Sequence, residues 1–528
     1  MPFPIIDLFA GPGGLAEGFS SLTNDRNERI FDIKLSIEKD THAHQTLTLR
    51  SFIRQFPVNT LPDDYYQFLR KEISLEQLYN RYPQQYNEAQ QEAWQATLGV
   101  TPEAELDERI SGNLGEETNW VLIGGPPCQA YSLAGRSRVG GIDPEDKRVH
   151  LYKEYLRIIA RHKPAVFVME NVKGLLSAEV DGERIFSNIM EDLSAPAIVF
   201  PEFAPPTYRI YSLVRGAVRQ DSDYLIRSED YGIPQRRHRV ILLGIRNDID
   251  AIPGTLEPAG KNSLRSVIDR LPPVRSGIYR EFLSSAMIST EKGIKKKRTY
   301  GNLKDSYDGW SERVKLYANE LIASFAEQNY KIDFDPVLPL ITGKDYFEAD
   351  NTLAEDHPLY QWYHDENLAA AIHHESRGHL TLDLKRYLFA SLYTRCFNKF
   401  PRMEDYRRFG KDLIPDHENA ESGKFNDRFR VQLPDEPATT ITSHISKDGH
   451  YFIHYDPAQC RSLTVREAAR VQTFPDNYYF CGSRTQQFHQ VGNAVPPFLA
   501  FQIAAIVKNI LPDEQPAAVL ERELIQNE

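Results

Sequence analysis

The chain has 528 residues, 41% of them apolar and 26% charged, and a net charge of −12. This is ordinary globular material, longer than one hydrophobic core usually organises, so two domains are expected. No run of about 18 uncharged apolar residues occurs, which speaks against a membrane span or a signal peptide, and four scattered cysteines without a Cys-x-x-Cys pair speak against a disulfide framework or zinc cluster.

Residues 5–9 predict a short buried strand that stops at Ala10-Gly11-Pro12-Gly13-Gly14, with a helix from Leu15 burying Phe19 and Leu22. Glycines in such a turn let the backbone approach a ligand, although alone they fit a nucleotide, S-adenosylmethionine or plain tight packing. Residues 33–37 predict the next strand. It stops at Glu38, about twenty residues beyond Gly18, where a carboxylate can accept hydrogen bonds from a ribose diol. The two turns together imply an adenosine-type ligand. Residues 47–118 are polar, rich in tyrosine and glutamine and helix-prone, and read as a helical insertion in which Asp107 is a candidate carboxylate for the adenine pocket.

Val121-Leu122-Ile123 runs into Gly124-Gly125-Pro126-Pro127-Cys128-Gln129, a break that leaves one thiol at its tip. The glycine- and arginine-rich residues 134–146 read as a loop that can close over a substrate. A helix is expected over 151–162, ended by Pro164, and a strand over 166–169 that stops at Glu170-Asn171. In an open parallel sheet, ligands bind outside the carboxyl ends of the strands. A thiol, two carboxylates and a glycine loop are therefore expected in one cleft. Residues 240–243 predict a further strand. Just before it, in Gln235-Arg236-Arg237-His238-Arg239, alternation carries Arg237 and Arg239 to the same side, a pattern that a surface ion pair also fits.

From about 247 to 438 the chain is charged, proline-punctuated and without regular strand alternation, and reads as the second domain. Basic runs at 292–298 and 377–408, the latter interleaved with aromatics, are candidates for nucleic-acid contact, which requires only one basic face on an acidic chain. Leucines at 380, 384, 388 and 392 predict a helix over 380–397. His373, His374, Glu375 and His379 read as a polar helix start, and no metal is expected. Thr464 with Glu467 three residues on predicts a capped helix, and a last apolar helix, 498–510, is expected to dock on the first domain.

Six of these segments, in this order, resemble the DNA cytosine-5 methyltransferase family. They are Asp7-Leu8-Phe9-Ala10-Gly11-Pro12-Gly13-Gly14, Pro127-Cys128-Gln129, Glu170-Asn171-Val172, Gln235-Arg236-Arg237-His238-Arg239, Arg466-Glu467-Ala468-Ala469-Arg470 with Phe474-Pro475, and Gly492-Asn493-Ala494-Val495. The resemblance covers roughly residues 1–50, 120–245 and 430–510. It implies an α/β fold, the Rossmann-like mixed sheet of S-adenosylmethionine-dependent methyltransferases with helices on both faces. The catalytic domain is then 1–246 with its insertion at 47–118, a variable target-recognition domain 247–435, and a returning segment 436–528.

In that family a thiolate adds at carbon 6 of cytosine before carbon 5 becomes nucleophilic, a role the resemblance gives to Cys128. Glu170 would hold the ring at N3 and the amino group, Arg239 would contact the base oxygen, and Arg237 would support the loop around Cys128. S-adenosylmethionine contacts carry over to Phe9, Gly11, Gly14, Glu38, Pro127, Leu151, Asn493 and Ala494. Tyr131 stands where many relatives have Phe. The implied partners are double-stranded DNA, with the base flipped out of the duplex, and a cognate restriction endonuclease acting on the same site. A cytoplasmic monomer of a bacterial or archaeal cell, with no membrane role, is expected. Alternatives are a tRNA cytosine-5 methyltransferase of the same fold, a catalytically silent DNA-binding relative, and a nicotinamide oxidoreductase, which Cys128 with Arg237 and Arg239 fits poorly.

Overall fold

The computed structural model describes residues 2–127, 151–180, 183–290, 293–350, 352–415 and 428–511. Five short runs lie parallel and adjacent in the order β3 (Ala93–Gln95), β2 (Phe31–Glu38), β1 (Phe3–Leu8), β4 (Val121–Gly124) and β5 (Val166–Val172). Beyond β5 the direction reverses. There β11 (His238–Arg246) runs antiparallel to β5, and β8 (Tyr208–Ser212) and β9 (Leu225–Arg227) pair antiparallel with β11. Two short pairs stand apart from this sheet. β6 (Glu179–Val180) pairs with β7 (Glu183–Arg184), and β10 (Gln235–Arg236) with β17 (Ala438–Thr439).

The near-continuous apolar character of the central strands follows from cover on both faces. On one face Ile5, Ile33, Ile123, Val168 and Leu243 pack with α1 (Gly14–Ser20) and the C-terminal α16 (Pro497–Lys508). On the other, Ile6, Leu35, Leu122, Phe167 and Leu242 pack with α6 (Glu103–Leu114), α7 (Leu151–His162) and α8 (Ile185–Ser194). The architecture is the mixed sheet with helices on both faces that the motifs imply.

The region read as an insertion differs in two respects from the sequence reading. Its first helix, α2 (Thr41–Arg54), starts before residue 47, because the Asp40 carboxylate accepts hydrogen bonds from the His42 and Ala43 amides and caps it. It is also not purely helical. Between α3 (Asp63–Leu69), α4 (Leu75–Arg81) and α5 (Pro83–Glu92) on one side and α6 on the other lies β3, paired with β2 through Ser36, Ile37 and Glu38. Three residues are too few to show a period. The Asp107 carboxylate binds Arg157 Nη1 and His162 Nε2, each at 2.9 Å, and ties α6 to α7.

A second body holds β12 (Gly277–Thr290) and β13 (Gly293–Asn302) as an antiparallel ribbon, with β16 (Gly378–Leu380) parallel to the root of β12. β14 (Gly343–Glu348) pairs with β15 (Ala370–Glu375). Its core is made by α10 (Tyr307–Glu327), α12 (Thr381–Phe397) and α13 (Met403–Phe409), through residues such as Trp310, Phe325, Leu384, Leu388, Leu392 and Phe409. The leucine-spaced helix is thus α12, packed on its leucine face.

The histidine cluster does not begin a helix. His373 and His374 lie in β15 and His379 in β16. His373 Nδ1 meets Asp345 at 2.7 Å and its Nε2 accepts from the Phe480 amide, while His374 bonds Thr464 and the Pro272 carbonyl. Each imidazole therefore has a non-metal partner at both nitrogens. Among the described residues no group of three or more His, Cys, Asp or Glu is placed to hold an ion.

Between the two bodies, α9 (Leu264–Ile268), α11 (Tyr360–Tyr363), α14 (Val465–Val471) and α15 (Arg484–Asn493) share a core that includes Leu264, Val267, Tyr363, Ala469 and Phe488. By length and composition Arg484–Lys508 passes for a membrane span, but 72% of its apolar window is buried inside the protein. Its apolar residues are used in packing α16 against α1 and the sheet.

Candidate active site

β1, β2 and β4 end at one level, which β5 passes: it does not stop at Glu170 but runs on to Val172, because β11 pairs with it there. Leu8 pairs with Ile37 and Gly124, and Gly124 pairs with Met169. Glu38, the glycine loop, the Gly125–Pro127 segment and Glu170 therefore stand in a row along one sheet edge. Three strand spacings of about 4.8 Å separate its ends, roughly 14 Å.

In the glycine loop Phe9, Gly11 and Gly13 have φ of 56°, 58° and 95°. For Phe9 this left-handed conformation costs about 1 kcal/mol or more, strain of a kind that collects at ligand sites. The loop is held by Glu38, whose Oε2 accepts from the Gly11 amide and Oε1 from the Asp40 amide, both at 2.8 Å. A Cβ added at Gly11 would meet none of the described residues within 4 Å, so the loop is open there among them. Gly14 is different. Its Cβ would lie 2.3 Å from the Val495 carbonyl oxygen and 3.4 Å from the Ala494 Cβ, so a bare backbone lets the segment before α16 close on the loop. Ala494 thereby reaches the loop, and Asn493 precedes it, exposed, with its amide 3.3 Å from His489 Nδ1.

On the Cys128 side, a Cβ at Gly125 would lie 3.0 Å from Glu170 Oε2, so the chain leaving β4 passes directly over this carboxylate. Pro127 is the last described residue of that segment, and Cys128 lies outside the described residues. Glu170 Oε1 meets Arg239 Nε at 2.7 Å, with the two side chains 13% and 16% exposed. Arg237 is buried rather than at the surface. Its Nη1 donates to the carbonyls of Ile441, at 3.0 Å, and Gly492, at 3.3 Å, and burial, then the neighbouring Arg239, hold its pKa well below the usual arginine range. Leu151, the first residue of α7, lies beside the turn after β3, its Cδ2 3.4 Å from where a Gly99 Cβ would be.

Sequence reading missed the support beneath the glycine loop. The Tyr478 hydroxyl donates to the Pro12 carbonyl, and the Arg50 guanidinium lies over the Tyr478 ring at 4.4 Å while its Nε donates to Glu17 at 3.2 Å. Tyr478 has no local signature, since its partner lies more than four hundred positions away. Asp7, just before the loop, is fully buried, neither carboxylate oxygen has a hydrogen-bond partner among the described residues, and burial raises its pKa well above the usual value. The Arg466-to-Arg470 motif is scaffold. Arg470 forks onto Asp476, Glu467 accepts both prongs of Arg461, and Arg466 donates to the carbonyls of Ile372, Pro475 and Tyr478. Thr464 and Glu467 form the expected capping box.

A glycine loop braced by a carboxylate, and a second carboxylate paired with arginine beneath Gly125, suit transfer of an electrophilic group to a polar ring. Comparison with known proteins agrees. The family model for C-5 cytosine-specific DNA methylases matches residues 74–509. The type II methyltransferase M.Bpa9945I of Bacillus paralicheniformis is 31% identical, over 96% of this chain and 99% of its own length. The DNA (cytosine-5-)-methyltransferase M.ApeKI of Aeropyrum pernix is 25% identical, over 80% of this chain and 88% of its own length. A crystal structure of a prophage-encoded DNA modification methyltransferase of E. coli superposes with a TM-score of 0.50 at 19% identity, covering 97% of this chain and 100% of that one, and shares the fold. The chain belongs to the C-5 cytosine-specific DNA methylase family and is a DNA cytosine-5 methyltransferase.

Proposed function

We propose that the protein moves a methyl group from S-adenosylmethionine to carbon 5 of a cytosine flipped out of a specific duplex DNA site, through a covalent adduct on Cys128. The carrying observation is the Glu170–Arg239 contact of 2.7 Å lying under Gly125, three residues before Cys128. The Cys128 thiolate adds to carbon 6, and the ring electrons displaced toward N3 are met there by a proton or hydrogen bond from Glu170. Arg239 keeps Glu170 oriented and offers donors to the base oxygen. Carbon 5 takes the methyl group while the sulfonium sulfur departs as a neutral thioether, N3 gives its proton back to Glu170, and loss of the carbon 5 proton to a base re-forms the carbon 5–carbon 6 double bond and expels the thiolate.

The other cysteines are poor candidates. Burial pushes the Cys481 thiol up to about 11 and also raises Cys460, whereas the reaction needs a thiolate, and Cys396 is exposed on α12 of the second body.

The cofactor supplies an electrophilic methyl group on sulfonium. The residues fit it: Gly11 is open, among the described residues, beside Glu38 and the strained Phe9. Phe9, Gly11, Gly14, Glu38, Pro127, Leu151, Asn493 and Ala494 would surround it, with Gly14 acting through its close approach to Val495. Residues 247–435 serve as the target-recognition domain, and the segment after 435 completes the catalytic domain. The enzyme works as a monomer on DNA in the cytoplasm of a bacterial or archaeal cell. There it protects host sites from a cognate restriction endonuclease.

Labelled S-adenosylmethionine offered with duplex DNA and with tRNA tests the substrate: label is expected in the duplex, and label in tRNA overturns the reading. Duplex carrying 5-fluorocytosine at the target tests the chemistry, because fluorine cannot leave as a proton. A denaturant-resistant complex through Cys128, absent in Cys128→Ser, is expected. Trapping through Cys396, Cys460 or Cys481 contradicts it.

A further inference from the structure

The β12–β13 ribbon is rooted firmly and then leaves the protein body. At its root Arg275 forks onto Asp305 at 2.9 and 2.8 Å, Asp305 accepts from the Ile278 amide at 2.9 Å, and Trp310 Nε1 donates to Ser276 at 2.9 Å. Arg313 holds Glu281 at 3.0 Å. At Leu283 the ladder slips by one residue, and from there to Ser289 every side chain of β12 is exposed, on both faces. A strand wet on both faces has no core to hold it, and an isolated two-stranded hairpin is marginal in water. Its apolar side chains are also uncovered, with Leu283 57% and Met287 65% exposed. Among the described residues no further strand pairs with the outer edge of β13, or with β12 beyond Arg280.

Charge identifies what covers this arm. Residues 284–299 contain five basic side chains, Lys292, Lys295, Lys296, Lys297 and Arg298, against one acidic, Glu291, in a chain of net charge −12. The ladder beyond the slip, Ser284 to Thr290, spans roughly 24 Å, and the major groove of B-DNA admits a two-stranded β-ribbon. Register sorts the side chains. Ser285 opposes Arg298 and Met287 opposes Lys296 on one face, whereas Ser284 opposes Thr299 and Ala286 opposes Lys297 on the other. The first face combines a guanidinium, a hydroxyl and a long apolar chain, the groups that recognise guanine edges and thymine methyls.

We propose that the β12–β13 ribbon is a DNA-reading arm that enters the major groove, with the face of Ser285, Met287, Lys296 and Arg298 toward the base edges and Lys297, on the other face, toward phosphates. This rests on duplex DNA being the substrate and adds which element determines the site.

The test uses the full-length enzyme and three variants: Lys297→Ala, Met287→Ala/Arg298→Ala, and replacement of residues 285–298 by Asn-Gly. Cofactor binding and thermal melting report the fold, salt-dependent duplex binding reports phosphate contacts, and methylation of a library of randomised duplexes reports site choice. The lysine variant is expected to reduce the slope of log affinity against log salt by about 1 with site choice unchanged. Met287→Ala/Arg298→Ala is expected to lose roughly 5- to 100-fold in discrimination at one or two positions of the site. The shortened arm should lose both, with cofactor binding intact. If the shortened enzyme binds duplex with unchanged slope and methylates the same sites, the arm does not read DNA although the enzyme does. If shortening instead converts a dimer to a monomer in sedimentation, with DNA binding unchanged, the arm is a protein interface and the proposal falls. Failure of the intact enzyme to methylate any duplex would refute the substrate reading itself.

Discussion

Glu170 and Arg239 lie two residues out of register on adjacent antiparallel strands: Glu170 pairs with Ile241, Arg239 pairs with Val172, and their side chains close the diagonal at 2.7 Å. Same-face diagonal neighbours in a sheet are within reach of long side chains. The reversal of direction between β5 and β11 therefore builds this pair, which two parallel strands joined in the usual way would not. A carboxylate oriented this way keeps one oxygen, Oε2, directed toward the chain leading to Cys128.

Glu170→Gln is expected to lower methyl transfer by at least about 100-fold, the usual range for a positioned acid or base. Cofactor affinity and melting temperature should stay near wild type. Weakened cofactor binding in this variant would mark Glu170 as structural. Arg239→Ala should cost activity too, and the double variant should lose less than the product of the two, because the groups act as a unit.

Two glycines of the first loop and helix should fail in different assays. An alanine at Gly18 would place its Cβ 2.4 Å from both the Ala500 Cβ and the Pro497 carbonyl oxygen. Helix propensity alone would favour alanine by about 1 kcal/mol. Overpacking against a neighbouring backbone should win and destabilise by about 1–3 kcal/mol in denaturant unfolding. Gly11→Ala meets none of the described residues within 4 Å, but it must hold φ at 58° and it fills space beside Glu38. Its main effect should be on cofactor affinity, measured by calorimetry.

Asp7 gives a pH signature. Burial raises its folded pKa well above the usual carboxylate value, so the folded state keeps the proton to higher pH than the unfolded chain does. Its contribution is fully present below the ordinary pKa and is lost as pH rises through the raised one. Asp7→Asn, which mimics the neutral acid, should therefore be more stable than wild type at pH 8 by about 1–3 kcal/mol, and the gap should close in acid. A gap independent of pH would show that the carboxyl is ionised in both states.

His374 has the opposite sign of dependence. Burial lowers its folded pKa to about 4, so below the ordinary histidine value the unfolded state takes up the proton first. Stability from this residue is full above pH 6.5 and falls by about 3 kcal/mol as pH drops toward 4. His374→Gln should be less stable at pH 7, through loss of the Thr464 and Pro272 bonds, yet should lose less on acidification. Equal slopes for the two proteins would assign the acid sensitivity elsewhere.

What the sequence by itself determined are features whose cause is local. An apolar run followed by glycine, proline or a carboxylate marks a buried strand and its turn, and this located β1, β2, β4 and β5 and the row of side chains at or near their ends. Thr464 with Glu467 is a cap within one helical turn, and the leucines of α12 recur at helical spacing, although the fold buries that helix on nearly every side. Tertiary structure decided everything that depends on a distant partner or on the absence of one. β3 is three residues long, and β15 carries two histidines that only their pairing with Asp345, Phe480, Thr464 and Pro272 makes sense of. The β12–β13 ribbon escaped notice because a strand exposed on both faces has no polar and apolar alternation to show. Gly14 could be read as a ligand glycine, but only the fold brings the Val495 carbonyl to 2.3 Å of its missing Cβ. Spacing along the chain encodes helix faces and strand ends, whereas contacts across hundreds of residues are chosen by how completed elements pack.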